Sequence, residues 1–203
     1  LDFYDSVITA GDYAQPNIRF IEDLRHLKHK ELISLGVPCW DKMYNERKNI
    51  IAGSESENSR KVILIAPSWG DKGIMACYSL DFIRELANEF DIIFRPHPQS
   101  RKFEPELLDN AHRLIDSLPC KTEWDETSDP AESLSKADLL ISDSSSIRLD
   151  CAVIYEKPVI SLEVKSENIS SFEISDLPEG TVPFADRICK PIKAGEIKNI
   201  VSI

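Results

Sequence analysis

Short, unbroken apolar runs separated by helix-like stretches constrain this chain more than any other feature. KVILIAP (61–67), DIIFRPHP (91–98), ADLLIS (137–142) and KPVISLE (157–163) are each about one strand long, and the first shows no polar alternation. A strand with one wet face alternates, whereas a strand buried on both faces does not. Between these runs lie SLDFIRELANEF (79–90), EPELLDNAHRLIDSL (104–118) and SIRLDCAVIYE (146–156), read as helices, with Ser79 placed to cap the first. Strands of this type alternating with helices predict a parallel sheet covered on both faces and joined by right-handed crossovers. The expected fold class is α/β, a Rossmann-like doubly wound parallel sheet.

Upstream, DSVITAG (5–11) and ELISLGVP (31–38), the latter ending at Gly36, read as short strands. PNIRFIEDLRHLKHK (16–30) and DKMYNERKN (41–49) read as helices, with Pro16 at the permitted first position. The polar AGSESENSR (52–60) reads as a surface loop. The tail from Lys165 has little periodicity until AGEIKNIVSI (194–203), read as a final helix. The whole of 1–203 is taken as one domain of a longer protein, because the chain opens on Leu1 rather than Met.

Composition narrows the partners. A net charge of −11 repels phosphate backbones and anionic bilayers, so nucleic acid and broad membrane contact are not expected. Small phosphorylated ligands remain open, since a few local donors outweigh the global field. Five scattered cysteines without a CxxC pair argue for reduced, cytosolic thiols and against a disulfide frame or zinc site. No metal site or cofactor is expected, and no apolar stretch approaches membrane-spanning length.

In a parallel α/β sheet, ligands bind outside the carboxyl ends of the strands. Three such ends are polar or cationic: PSWGDKG (67–73), RPHPQSR (95–101) and SDSSS (142–146). Topology should bring them to one edge. Ser144, Ser145 and Ser146 stand where a strand hands over to a helix, where free backbone N–H groups attract anions. One serine is explained by helix capping alone; three in a row favour phosphate contact. Asp143 would sit badly beside an anion and is expected to turn away and bond backbone N–H groups of the loop. Arg95 and His97 share one face of an extended segment. Arg95 can grip a phosphate with two nitrogens, and His97 can donate a hydrogen bond or proton to a leaving phosphate. The alternatives are a solvated arginine and a satisfied buried histidine. Trp69 either stacks on a ligand or caps the core. Trp40 and Trp124 are assigned to packing, and His26, His29 and His112 to solvated helix faces. The acidic runs at 55–57 and EWDET (123–127) are assigned to solvated surface.

In order and spacing, GVPCWD (36–41), ILIAPSWG (63–70), RPHP (95–98) and LLISDSSSIRLDCAVIYEKPVI (139–160) resemble the donor-binding half of CDP-glycerol and CDP-ribitol transferases. These are the polyol-phosphate polymerases and primases of teichoic acid synthesis, and the resemblance covers about 5–160. It implies one half of a two-domain glycosyltransferase-B (GT-B) architecture. It implies transfer of glycerol phosphate from CDP-glycerol to a lipid-linked or polymer acceptor, with release of CMP. It further implies that His97 and Arg95 act at the donor phosphate, that Ser145 and Ser146 bind phosphate oxygens, and that Ser68 and Trp69 lie beside the donor. The setting implied is cytoplasmic, with a peripheral place on the inner face of the cell membrane left open for the longer protein.

Some positions depart from the family pattern. Ser68 and Gly70 replace a usual threonine and arginine, Ser144 replaces an aromatic residue, and the gap from Asp150 to KPVI is one residue longer than usual. The family's histidine-glycine motif of the other domain is absent from these residues. SDSSSIRLD also looks like the nucleotide site of UDP-N-acetylglucosamine 2-epimerases, where an acid on the helix holds the ribose; Asp150 would take that place, or else be an exposed helix residue. A UDP- or CMP-sugar enzyme therefore stands as the second reading, and a nucleotide-binding module without chemistry as the third.

Overall fold

The computed structural model describes residues 3–53, 60–71, 73–164, 189–193 and 196–197, leaving the side chains of 48–53 aside. In chain order the elements are β1 (Ser6–Thr9), α1 (Gln15–Leu24), β2 (Glu31–Ser34), α2 (Pro38–Gly53), β3 (Val62–Ala66), α3 (Ile74–Cys77), α4 (Asp81–Leu86), β4 (Asp91–Phe94), α5 (Ser100–Phe103) and α6 (Pro105–Asp116). They continue with β5 (Thr122–Trp124), α7 (Ala131–Lys136), β6 (Leu139–Ser142), α8 (Ile147–Leu149), a π-helical turn (Asp150–Ile154), β7 (Val159–Leu162) and β8 (Lys190–Ile192).

Six parallel strands form the main sheet in the order β5-β4-β3-β6-β7-β8. Alternate residues of each central strand enter opposite cores, as unbroken apolar runs require. Ile63 and Ile65 of β3 pack with Ile92 and Phe94 of β4, Ile141 of β6 and helices α4 and α6. Leu64 and Ala66 turn the other way, to Ile93, Leu140, Leu134 of α7, Cys151 and Tyr155. The direction of strand addition reverses between β3 and β6. That reversal is the topological switch point, where the carboxyl ends of neighbouring strands part to leave a crevice.

The two amino-terminal strands stand apart. Among the described residues, β1 and β2 are parallel and pair only with each other, Val7 opposite Leu32 and Ile8 opposite Ile33. The helix between them is shorter than its sequence pattern, ending at Leu24 instead of Lys30. The buried Glu22 carboxylate accepts from the Lys30 backbone N–H (2.8 Å) and from Arg19 (2.6 Å), and His26 takes a positive φ of 52°, so the chain turns early into β2.

Other boundaries differ as well. The surface loop expected at 52–60 begins inside α2, which runs to Gly53. Ser79 does not cap its helix at the expected place: α4 starts at Asp81, and Ser79 Oγ donates to the Asp81 carboxylate at 2.6 Å. Five short elements lacked a readable pattern: α3, α5, β5, α7 and β8. The helix read at 194–203 falls almost wholly outside the described residues.

The segment between Asp150 and KPVI, read as one residue longer than the family's usual, opens on a π-helical turn. Tyr155 N–H donates to Asp150 O, five residues back, at 3.2 Å, which is the bond of a π-turn.

The cysteines are free thiols at Cys39, Cys77, Cys120, Cys151 and Cys189. Burial pushes the Cys151 thiol up to about 12. A thiol reagent at neutral pH is therefore expected to label the exposed Cys39 and Cys77 readily, and to reach the buried Cys151 and Cys189 only when denaturant unfolds the domain. Mass-spectrometric mapping of the labelled positions checks this; rapid native labelling of Cys151 would contradict its burial.

Candidate functional site

Three loops follow the carboxyl ends of β3, β4 and β6, adjacent strands of one sheet. The β3 loop is held from two sides by buried carboxylates. Asp143, 1% exposed, accepts from Ser68 N–H at 2.9 Å with one oxygen and from Ile74 N–H at 2.9 Å with the other. This is the inward-turned role expected of it. Glu104 accepts from Gly70 N–H at 2.9 Å and from the Ser100 hydroxyl at 2.5 Å. Gly70 has a φ of +91°, a region that disfavours side chains, and a Cβ on Gly73 would meet Ser68 O at 2.5 Å. Both positions therefore favour glycine. Trp69 stands out from it, 43% exposed, stacked on the exposed Phe103 at 5.0 Å between centroids and tilted towards His97 at 6.2 Å.

The β4 loop carries Arg95 and His97. His97 Nδ1 accepts from Gln99 N–H at 3.1 Å, so in the neutral ring the proton sits on Nε2. Arg95 is placed otherwise than expected. Its terminal nitrogens donate to Asp125, to Thr127 Oγ1 at 3.1 Å and to Thr127 O at 2.7 Å, and its side chain is 11% exposed. A guanidinium so engaged is not free to grip a phosphate with both terminal nitrogens; it ties the β4 loop to the β5 loop instead. Asp125 was read as part of a solvated acidic run, yet it is 6% exposed. Burial pushes its carboxyl up, but hydrogen bonds from Ser133, Thr127 and Arg95 outweigh this and hold its pKa below the usual carboxylate range.

The β6 loop presents Ser144, Ser145 and Ser146 at the switch point. Ser146 occupies the helix N-cap position without a side-chain cap bond, so capping does not account for the three serines. Among the described residues, none of the three hydroxyls makes a hydrogen bond, and the backbone N–H groups of Ser145 and Ser146 find no acceptor. Ser145 is part-buried, and Ser144 and Ser146 are exposed. Asp150 begins the π-turn and accepts from Trp40 Nε1–H at 2.7 Å. Burial pushes the Asp150 pKa up against that hydrogen bond. Trp40 thus does more than pack: it joins α2 to the site's edge. Among the described residues, no group of three or more His, Cys, Asp or Glu is placed to hold a metal ion, and no helix is long and apolar enough to cross a membrane.

The sequence of the CDP-glycerol:poly(glycerophosphate) glycerophosphotransferase family matches residues 1–168. The chain belongs to this family. A teichoic acid glycerol-phosphate primase of Bacillus subtilis (strain 168) is 26% identical over 165 residues, covering 75% of this chain and 38% of that protein. Among solved structures, the wall teichoic acid polymerase TagF, in a variant soaked with CDPG, is 20% identical with a TM-score of 0.56 over 97% of this chain and 46% of that one. A second structure of TagF is 22% identical with a TM-score of 0.50, over 78% of this chain and 38% of that one. The chain thus shares the fold of one half of these GT-B neighbours and spans less than half the length of the relatives it matches.

Within this family member, the sequence-expected residues fall on neighbouring loops: Ser68 and Trp69 after β3, Arg95 and His97 after β4, and Ser144–Ser146 after β6, with Asp150 further along the helix. Sequence reasoning missed Glu104, Asp125, Arg148 and Phe103. Glu104 was visible only as a helix-start acid, and Arg148 only as a charged residue in an otherwise apolar helix.

Proposed function

We propose that this chain supplies the donor half of a transferase that moves glycerol phosphate, or another polyol phosphate, from a CDP-activated donor to a cell-wall or surface polymer acceptor. The observation that carries the reading is the set of unpaired donors on the serine turn at the switch point. A diphosphate offers anionic acceptors of matching number to those hydroxyls and N–H groups. The β-phosphorus is attacked by an acceptor hydroxyl, and its bond to the bridging oxygen breaks. CMP leaves with the electron pair, and the acceptor's proton goes to a base outside these residues. The serine turn and His97 Nε2–H stabilise the charge that develops on the leaving phosphate. Arg95 acts here by position, fixing the loop that carries His97. Family membership and the CDPG-soaked relative support the donor; a cytoplasmic setting, with the longer protein peripheral at the membrane, accords with an acceptor that is lipid-linked.

Calorimetric titration with CDP-glycerol, CDP, UDP and a UDP-sugar in parallel tests the reading. Cytidine nucleotides are expected to bind tighter than uridine ones. Alanine at both Ser145 and Ser146 removes two hydroxyls, each worth roughly 1.5–3 kcal/mol towards a charged group, so CDP affinity should fall more than about tenfold. Equal affinity of the double variant would place the phosphates elsewhere, and a preference for UDP would favour the nucleotide-sugar reading through Asp150.

A further inference from the structure

Arg148 is a buried cation, 6% exposed, one turn past the serines, and neither the family resemblance nor the proposed chemistry assigns it a task. Its Nε–H donates to Ser145 O at 3.2 Å, and its own backbone N–H donates to the same oxygen at 3.3 Å. Its terminal nitrogen donates to Ser161 Oγ on β7 at 2.7 Å, and Ser161 Oγ lies 3.4 Å from Asp143 O. The side chain therefore runs beneath the serine turn and anchors it to the next strand.

The consequence follows from peptide geometry. In a trans peptide the C=O and the following N–H point in opposite directions. Two donors draw the Ser145 carbonyl towards Arg148, so the Ser146 N–H must point away from it, and that N–H is one of the donors left without an acceptor among the described residues. A capping serine aims its hydroxyl at the helix; here the three hydroxyls are not so used. Something else has to fix the turn, and Arg148 is placed to do so. We infer that Arg148 is a positioning residue that aims the serine turn at the donor's diphosphate. The inference rests on the proposed anion role of that turn. It also separates geometry from charge: the planar fork that reaches both Ser145 O and Ser161 Oγ is specific to arginine, and a lysine ammonium in its place keeps the charge but not both contacts.

The test is CDP titration of the parent chain, Arg148→Met, Arg148→Lys and Ser161→Ala, with thermal unfolding of each, at a temperature where all are fully folded. Both Arg148 variants are expected to bind CDP about tenfold or more weakly, the loss of one misaimed hydrogen bond to a charged group. Ser161→Ala, which keeps Arg148 but removes its far anchor, should lose a smaller but measurable part. A purely structural role would lower the melting temperature and leave affinity untouched, and that outcome in folded Arg148→Met overturns the inference. Full affinity in Arg148→Lys overturns it in favour of charge alone. Should Arg148→Met not fold, parent-like affinity in Ser161→Ala overturns it. A parent chain that binds no CDP removes the anion reading and this inference with it, an outcome distinct from all the others.

Discussion

Alanine at Asp143 is expected to destabilise the domain by about 2–6 kcal/mol, because it takes the acceptor from two backbone N–H groups, one buried and one part-buried, at about 1–3 kcal/mol each. Those groups are Ser68 N–H and Ile74 N–H, and Ile74 is fully buried, so water cannot replace the lost carboxylate there. In a domain of this size such a loss should lower the melting temperature by roughly 10 °C. Asparagine should recover only part of it. Its one oxygen can accept from one of the two groups, while its amide presents a donor to the other. Differential scanning calorimetry of the parent, Asp143→Asn and Asp143→Ala gives the order directly. A melting temperature for Asp143→Ala within a degree or two of the parent would mean that the β3 loop holds itself, and that Glu104 and the glycines suffice.

The same residue shows which kind of inference a sequence supports. An acid beside an anion turn has few options: it repels the ligand, or it turns away and binds amides. Local chemistry alone thus selected the observed role for Asp143. The central strands were legible for a similar reason, since an unbroken apolar run such as VILIA has only one environment that satisfies it. The segment before KPVI was read as longer than the family's usual, and a π-turn stands there, at Asp150–Ile154.

What stayed hidden depends on partners distant in sequence. TEW is too short and too mixed to announce β5, so the acids around it looked solvated. Nothing near Asp125 in the chain indicates that Arg95, thirty residues earlier, will close on it. Trp40 and Asp150 meet across 110 residues, and α2 reaches the π-turn again through Arg47, which donates to Ile154 O and, just beyond the turn, to Glu156 at 2.8 Å. Arg95 had the right type and place to hold phosphate, and its sequence neighbours gave no sign of a competing carboxylate. Residue type reports what a group can bind; only the fold reports what reaches it first.

That competition yields the second large effect. Asp125→Ala is expected to cost about 3–5 kcal/mol, the penalty for stripping one member from a buried ion pair. Asp125 accepts from Arg95, from the Ser133 hydroxyl, from Thr127 N–H at 2.9 Å and from Thr127 Oγ1 at 2.6 Å, so its loss removes the counter-charge of Arg95 and takes this acceptor from the Ser133 hydroxyl and Thr127 N–H. Arg95→Met should cost less, because the carboxylate then keeps three of its four hydrogen bonds. The pH dependence has a definite sign. The folded carboxyl titrates below its unfolded value, which lies near about 3.9. Between the two values the unfolded chain binds more protons, so stability rises with pH there. The contribution is fully present above the unfolded value and is lost as pH falls through the folded one. Thermal unfolding of the parent between about pH 5 and 3 should therefore slope more steeply than that of Asp125→Asn, whose side chain does not titrate. Parallel slopes would show that the Asp125 network contributes nothing pH-dependent. CDP titration of Arg95→Met completes the comparison. Affinity within a few-fold of the parent fits an arginine committed to Asp125, whereas a loss of more than about a hundredfold, beyond one charged hydrogen bond, would mean that Arg95 leaves Asp125 and turns to the phosphate when the donor binds.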